Sequence, residues 1–376
     1  MKILMPTVDY PPIEGGIGTV ALYVARELAA LGHEVTVVAP HFPDMTEFDA
    51  GEPVRVLRFS GYRWGWARLF PLLRQTWPLV RETDLILGIN VSYGGVVGRL
   101  AKVLHRKRYV TFAYAYEFLK FRHHGIARAL LRSVYLNGAV NVAISRYTAH
   151  ALEEFGIPAA LIATIHPGAP TPKARDDSAV AAVRRTLDLG YDPYILAVGR
   201  FIPRKGQIHL VQAMPRVLEV CPNTRLVLVG RGPRLEACRA KAKALEIEGL
   251  VHFAGYLDDD AVAALYQDCT LFALPTGADA NGQVEGFGLV FAEAHAYGKA
   301  VVAGISGGVS DAVTHGETGL MVPGDQPDRL ADAIIELLRD PERRRRLGEA
   351  GRKRVEEELN WRVFTEKLLE RVESAP

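Results

Sequence analysis

Short apolar runs alternate with longer amphipathic stretches along nearly the whole chain. In the first half the runs fall at residues 2–5, 35–39, 54–59, 85–88, 109–112, 140–144 and 161–165, with helical lengths between them. Residues 19–31 carry one such helix, which Gly32 ends. Strands that alternate with helices of this length predict a parallel, doubly wound sheet. Pro167, Gly168, Pro170 and Pro172 then cluster ahead of the charged residues 173–177, the mark of a domain boundary. A second alternation follows, with strands at 194–198, 225–229, 251–254 and 271–274. Asp258 to Asp260 open a helix there, and another runs over 289–297. Three charge-rich stretches, 329–339, 342–358 and 361–372, read as surface helices. The expected fold class is α/β, with one Rossmann-like domain over 1–170 and a second over 171–359.

The stretch with most chemical content is Glu285-Gly286-Phe287-Gly288-Leu289, continuing to Glu293. It follows the buried run 271–274, Pro275 and a polar loop, and it opens a helix. Glycines 286 and 288 let backbone approach a ligand, and the helix N-terminus behind them offers free N–H groups to an anion such as a diphosphate. Glu293 sits about one turn inside that helix, tilted back towards its start, so its carboxylate reaches hydroxyls beside the phosphates. Glu285 can face the same cavity. Two acceptor-only carboxylates around an anion hole describe a phosphate flanked by two polyols, and a nucleotide sugar is such a ligand.

Other candidates lie at strand ends. Arg200 and Lys205 follow the strand 194–198, where an open α/β sheet has its ligand crevice. Taken alone they read as solvent-exposed cations; beside the Glu285 stretch they read as ligand contacts. Gly15, Gly16 and Gly18 form a glycine-rich loop after the first strand, and residues 16–21 match the dinucleotide pattern G-x-G-x-x-A. The second strand, however, ends in Ala39-Pro40-His41 without an acid for a ribose, and the loop before Gly16 is too long for that fingerprint's tight turn. A nicotinamide cofactor is therefore not expected.

The Glu285-Gly-Phe-Gly-Leu stretch with Glu293 resembles the Glu-x7-Glu motif of retaining glycosyltransferases of the GT-B fold, a large family that includes sucrose synthases and bacterial mannosyltransferases. The resemblance spans nearly the whole chain and is most specific in the second half. It implies two Rossmann-like domains facing a cleft, the first binding the acceptor and the second a nucleotide diphosphate sugar, with a helix over 360–376 packed back on the first. Glu285 would contact the donor-sugar hydroxyls and Glu293 the ribose. Arg200 and Lys205, in Gly-Arg-x4-Lys-Gly, would hold the diphosphate, and Gly15 and Gly16 would face it from the first domain. Gly230, Tyr256, Leu257, Gly286, Phe287, Gly288 and Leu289 complete the implied donor set. Where the family presents His-Gly-Tyr-Glu near the donor sugar, this chain has Tyr114-Ala115-Tyr116-Glu117, so Tyr114 and Glu117 become the candidate sugar contacts. At residues 307–311 the family commonly has Pro before the acid; here Ser310 precedes Asp311 and is expected to cap the helix. The implied reaction is hexose transfer with retention, by same-face attack, with no cofactor and no metal. A noncatalytic sugar-nucleotide-binding or scaffold protein and a nucleotide-sugar epimerase of the same fold are the alternatives.

Charge adds a further expectation. The chain as a whole is nearly balanced at +2, yet residues 55–132 hold fifteen Lys and Arg against three Asp and Glu, a local excess of +12. Tyr62, Trp64, Trp66, Phe70 and Trp77 are interleaved with those arginines. Basic and aromatic residues mixed in this way suit an anionic membrane surface and a lipid-linked acceptor. The competing reading makes the same Trp and Leu residues the core face of a helix packed on the sheet. Nucleic acid is not expected, because no nucleic-acid module accompanies the patch. Three cysteines without metal spacing, and no apolar run of spanning length, point to a cytoplasmic protein, peripheral on the inner face of the membrane if the basic block binds it.

Overall fold

Two parallel sheets organise the chain, and the computed structural model describes residues 1–13 and 15–375. The first unit comprises residues 1–167 with 361–376, and the second residues 168–360. In the first, seven strands run in the order β3-β2-β1-β4-β5-β6-β7. They are β1 (Lys2–Pro6), β2 (Glu34–Pro40), β3 (Arg55–Phe59), β4 (Leu85–Gly88), β5 (Arg108–Ala113), β6 (Val140–Ala143) and β7 (Ile162–Thr164). β4 and β6 are buried at every position, which is why they read as unbroken apolar runs: helices cover both faces of the sheet. Residues 361–376 belong to this unit through the helix Trp361–Ser374, where Trp361 stacks on Tyr23 and Phe364 on Phe112.

The second sheet has six parallel strands in the order β10-β9-β8-β11-β12-β13. They are β8 (Tyr194–Val198), β9 (Arg225–Val229), β10 (Val251–Gly255), β11 (Leu271–Leu274), β12 (Val301–Gly304) and β13 (Gly319–Val322). β12 and β13 have no counterpart in the apolar pattern read above. Both sheets reverse direction beside their first strand, between β1 and β4 and between β8 and β11. Such a topological switch point leaves a crevice outside the carboxyl ends of the two strands.

Local differences from the sequence reading have physical causes. The helix after β1 starts at Gly16, three residues before Thr19, with Gly15 at its N-cap and no side-chain cap. Ser310 is not a cap: the short helix Val309–Ala312 begins one residue earlier, behind Gly308. The aromatic segment divides between the two readings offered for it. Leu72 and Val80 of the helix Leu69–Val80 are fully buried, and Leu69, Leu73, Trp77 and Leu79 pack against the core. Trp64, Trp66 and Phe70 are exposed, Phe70 by 73%.

A buried histidine marks the core of the second unit. His295 lies in the helix Leu289–Ala296 with no exposed surface, its Nδ1 3.3 Å from the Lys299 carbonyl. Burial pushes the imidazole down to about 4, so it is neutral in the folded protein.

Candidate active site

The switch point of the second sheet collects the groups singled out in its sequence. β8 ends at Val198 and is followed by Gly199, Arg200 and a single turn, Pro203–Lys205. β11 ends at Leu274, and its loop leads through Glu285 to Gly288, the N-cap of the helix Leu289–Ala296. Lys205 and Glu285 meet here, with Nζ 2.8 Å from Oε2 and the two side chains 12% and 13% exposed. It is a close ion pair with poor hydrogen-bond alignment, and Arg204 Nε lies 4.0 Å from the same oxygen. Burial alone would raise the Glu285 carboxyl; Lys205, Arg204 and Arg200 outweigh it and hold it below its ordinary value. Arg200 itself is exposed.

The backbone fixes Glu285 as firmly as the cations do. Its N–H donates to Ser306 Oγ at 3.2 Å, and Ser306 Oγ donates to the Gly277 carbonyl at 3.1 Å. Ser306 follows β12, so a strand unread in the sequence supplies a support of the site. Gly288 has φ 89°, and a Cβ there would lie 2.5 Å from the Phe291 ring. Only glycine fits, and the turn it makes aims the helix start at the crevice. Phe287 has a buried side chain, so it and Gly286 can offer a ligand only main chain from this stretch, while Leu289 is half-buried as the first helical residue.

Glu293 is placed differently from Glu285. It is half-buried and accepts a hydrogen bond of 3.1 Å from the Tyr266 hydroxyl. Burial raises its carboxyl, and the tyrosine and Lys205 only partly offset that. Tyr266 lies on the helix Asp259–Asp268 and stacks on Tyr297 with ring centroids 5.5 Å apart. Gly230, at the end of β9, faces protein: a Cβ would lie 2.2 Å from the Gly199 carbonyl, and its N–H donates to the Gly255 carbonyl at 2.7 Å. It locks the exits of three neighbouring strands together. Tyr256 is exposed just beyond β10, with Leu257 half-buried beside it.

In the first unit, Gly15 and Gly16 form the start of the first helix, and Tyr114 and Glu117 lie beyond β5. Glu117 is buried, and its Oε1 accepts the Tyr114 backbone N–H at 2.7 Å. Ala115 between them takes φ 78°, the left-handed region that costs a side-chain-bearing residue energy. Glu117 Oε2 and the Tyr114 hydroxyl are both buried without a hydrogen-bond partner. Burial pushes the Glu117 carboxyl up to about 7, and Asp9 nearby adds to the shift while the Tyr114 N–H and Lys120 oppose it. Asp9 follows β1 and accepts from Asn90 Nδ2 at 3.1 Å, which ties together the loops after β1 and β4.

Two doubly wound parallel sheets, the second carrying a cation cluster paired to a carboxylate at its switch point, define the GT-B class of α/β proteins. A profile described as Glycosyl transferases group 1 matches residues 183–354, and one described as Glycosyltransferase Family 4 matches residues 14–172. The chain is 34% identical to a GDP-mannose-dependent alpha-(1-6)-phosphatidylinositol monomannoside mannosyltransferase of Mycobacterium tuberculosis, over 98% of this chain and 97% of that protein. It is 30% identical to the GDP-mannose-dependent monoacylated alpha-(1-6)-phosphatidylinositol monomannoside mannosyltransferase of Corynebacterium glutamicum, over 100% of this chain and 98% of that one. Among solved structures, Anabaena HepE in complex with UDP-glucose superposes with a TM-score of 0.83 at 21% identity, covering 100% of both chains. The chain belongs to the group 1 glycosyltransferases of the GT-B fold, and it is an enzyme of sugar transfer.

Proposed function

We propose that this glycosyltransferase moves mannose from GDP-mannose to a lipid-linked acceptor of the phosphatidylinositol mannoside kind, with retention and without a metal. The observation that carries the donor site is the Lys205–Glu285 pair at the switch point, with Arg200 and Arg204 beside it. In this reading Arg200, Lys205 and the helix start at Gly288 stabilise the negative charge that builds on the departing diphosphate, as fixed donors aimed at developing charge. Glu285 accepts hydrogen bonds from the transferred sugar and Glu293 from the ribose. The bond from the anomeric carbon to the diphosphate oxygen breaks, the acceptor oxygen bonds that carbon from the same face, and the acceptor proton passes to the departing phosphate oxygen. The GDP-mannose donor and the lipid acceptor rest on the relatives of Mycobacterium and Corynebacterium, whose names state both.

A surface of the first unit supports a lipid-linked acceptor. The helices Leu69–Val80, Val96–His105 and Gly125–Asn137 lie side by side, and with the turn before them they expose Trp64, Trp66, Phe70, Val103, Leu104, Leu130 and Ile126, the last by 81%. Lys102, Arg106, Arg122, Arg128 and Arg132 are exposed on the same helices and their flanks. Apolar side chains set among cations suit the boundary between acyl chains and anionic headgroups. Among the described residues no helix is long and apolar enough to cross a membrane. The attachment we propose is peripheral, on the cytoplasmic face.

The test is transfer itself. Incubation with radiolabelled GDP-mannose and a phosphatidylinositol mannoside extract is expected to release GDP and label a lipid of unchanged anomeric configuration. Labelling from UDP-glucose but not GDP-mannose would refute the donor, and an inverted product would refute retention.

A further inference from the structure

We propose that Arg231, together with Tyr256, reads the nucleobase of the donor and selects guanine. The proposal rests on the nucleotide-sugar reading above and deepens it. The strand order places the groups in sequence along one edge of the sheet: Glu285 after β11, Arg200 and Lys205 after β8, Arg231 after β9 and Tyr256 after β10. With neighbouring strands about 4.8 Å apart, the β10 exit lies about 10 Å from the β8 exit. A nucleoside diphosphate with its phosphates at Arg200 and Lys205 can therefore extend its nucleoside over the ends of β9 and β10. Glu293, the carboxylate assigned to the ribose, feels the charges of Lys205 after β8 and of Asp259 at the start of the helix after β10.

Arg231 is held there by its backbone. Its carbonyl accepts the Phe201 N–H at 2.9 Å, and Gly230 before it donates to the Gly255 carbonyl at 2.7 Å, so the peptide is fixed between the exits of β8 and β10. A Cβ on Gly232 behind it would lie 2.5 Å from the Phe201 carbonyl, which leaves the turn no room to shift. Its guanidinium lies 5.3 Å from the centroid of the Tyr256 ring, and both side chains are exposed. Among the described residues no carboxylate pairs with it. A planar fork carried on an aromatic face, unneutralised and open at a nucleotide edge, matches an acceptor pair. Guanine presents O6 and N7 as such a pair, adenine replaces O6 with a donor, and uracil has no N7.

Calorimetry with GDP, IDP, ADP and UDP tests this on the intact protein. IDP keeps O6 and N7 and lacks only the exocyclic amine, so it isolates the edge assigned to Arg231. The wild type is expected to bind GDP and IDP about tenfold or more tighter than ADP and UDP, as a bidentate arginine contact discriminates. Arg231→Ala and Arg231→Lys should both collapse that gap while retaining diphosphate affinity from Arg200 and Lys205, because lysine keeps the charge and loses the fork. Unchanged base ratios in both variants, IDP bound as weakly as UDP, or a wild type that prefers UDP or ADP would each overturn the proposal. A wild type that binds none of the four would overturn the nucleotide-sugar reading itself.

Discussion

Lys205→Ala should weaken both folding and turnover, and the two effects separate. The ammonium lies 2.8 Å from Glu285, in a place where each side chain keeps only about an eighth of its exposure. Removing one partner of a fully buried pair costs about 3–5 kcal/mol, because the other charge is left behind. Here residual exposure and Arg204, 4.0 Å from the same oxygen, reduce that, and a loss of about 2 kcal/mol in unfolding free energy is expected. Glu285→Gln on the Lys205→Ala background removes the abandoned charge, so the double variant should be destabilised by less than the sum of the two singles. For turnover, loss of a fixed donor to the departing diphosphate costs about 2–4 kcal/mol, which is about thirtyfold to a thousandfold in kcat/KM.

Urea unfolding followed in parallel with steady-state kinetics tells the two apart. Stability regained in the double variant should not bring turnover back, because the diphosphate still lacks its cation and the sugar now also lacks the Glu285 carboxylate. A folded Lys205→Ala variant with wild-type kcat/KM would refute the assignment of this lysine. Additive stability losses would refute the account of the ion pair.

Three further outcomes are expected. Glu293→Gln should weaken binding of free GDP in calorimetry, whereas Glu285→Gln should lower turnover more than it lowers that affinity; equal losses of affinity would count against a ribose role for one and a sugar role for the other. The second unit should lose stability as pH falls from about 6.5 to about 4, because the unfolded chain protonates His295 before the folded one does. The loss approaches about 3 kcal/mol, and a His295→Gln variant that keeps the wild-type pH slope in urea unfolding would exclude this cause. The protein should sediment with anionic vesicles at low salt and come off in high salt, since each basic residue near such a surface adds about 1 kcal/mol that ions screen; a protein that stays in the supernatant at low salt would rule out the membrane surface.

Much of the architecture is legible in the sequence because parallel strands covered on both faces are unbroken apolar runs. β4, β6 and β11 show this, with every position buried. β12 and β13 escape the same reading: β13 is only half-buried at two of its four positions, while β12 is as short, as buried and as glycine-ended as β4, and nothing in its pattern explains the difference. The candidate site divides along similar lines. Glu285, Gly288 and Glu293 announce themselves through spacing along one stretch, and Arg200 and Lys205 through their place after a strand. Ser306 and Tyr266 do not, because each reaches its glutamate from an element more than twenty residues away, and no local pattern encodes that approach. Arg204 sits at an unassigned position of Gly-Arg-x4-Lys-Gly, and its nearness to Glu285 emerges only from the Pro203–Lys205 turn. The aromatic segment mixes both fates within one helical turn, since Phe70 points to solvent and Leu72 to the core, and period alone does not decide which face is covered.

The first six strands of each unit share one order, yet a carboxylate beyond the sheet meets opposite surroundings in the two. Beyond β8 and β9 stand Arg200, Arg204, Lys205 and Arg231, and the Glu285 carboxylate among them is held below its ordinary value. Beyond β1 and β5 stand Asp9 and the buried Glu117, whose carboxyl is pushed up to about 7. Since fold alone does not assign a ligand, the proposed assignment rests on that difference. In the proposed function a diphosphate is drawn to the second sheet, where Lys205, Arg204 and Arg200 already outweigh the burial of an acid. What Glu117 suits is a neutral partner. Near neutral pH its carboxyl exchanges between ionised and protonated forms, so its unpartnered Oε2 can accept or donate a hydrogen bond without holding a full negative charge. In the proposed function one topology would thus divide the labour by charge: the second unit would neutralise the leaving group, and the first would handle hydroxyls.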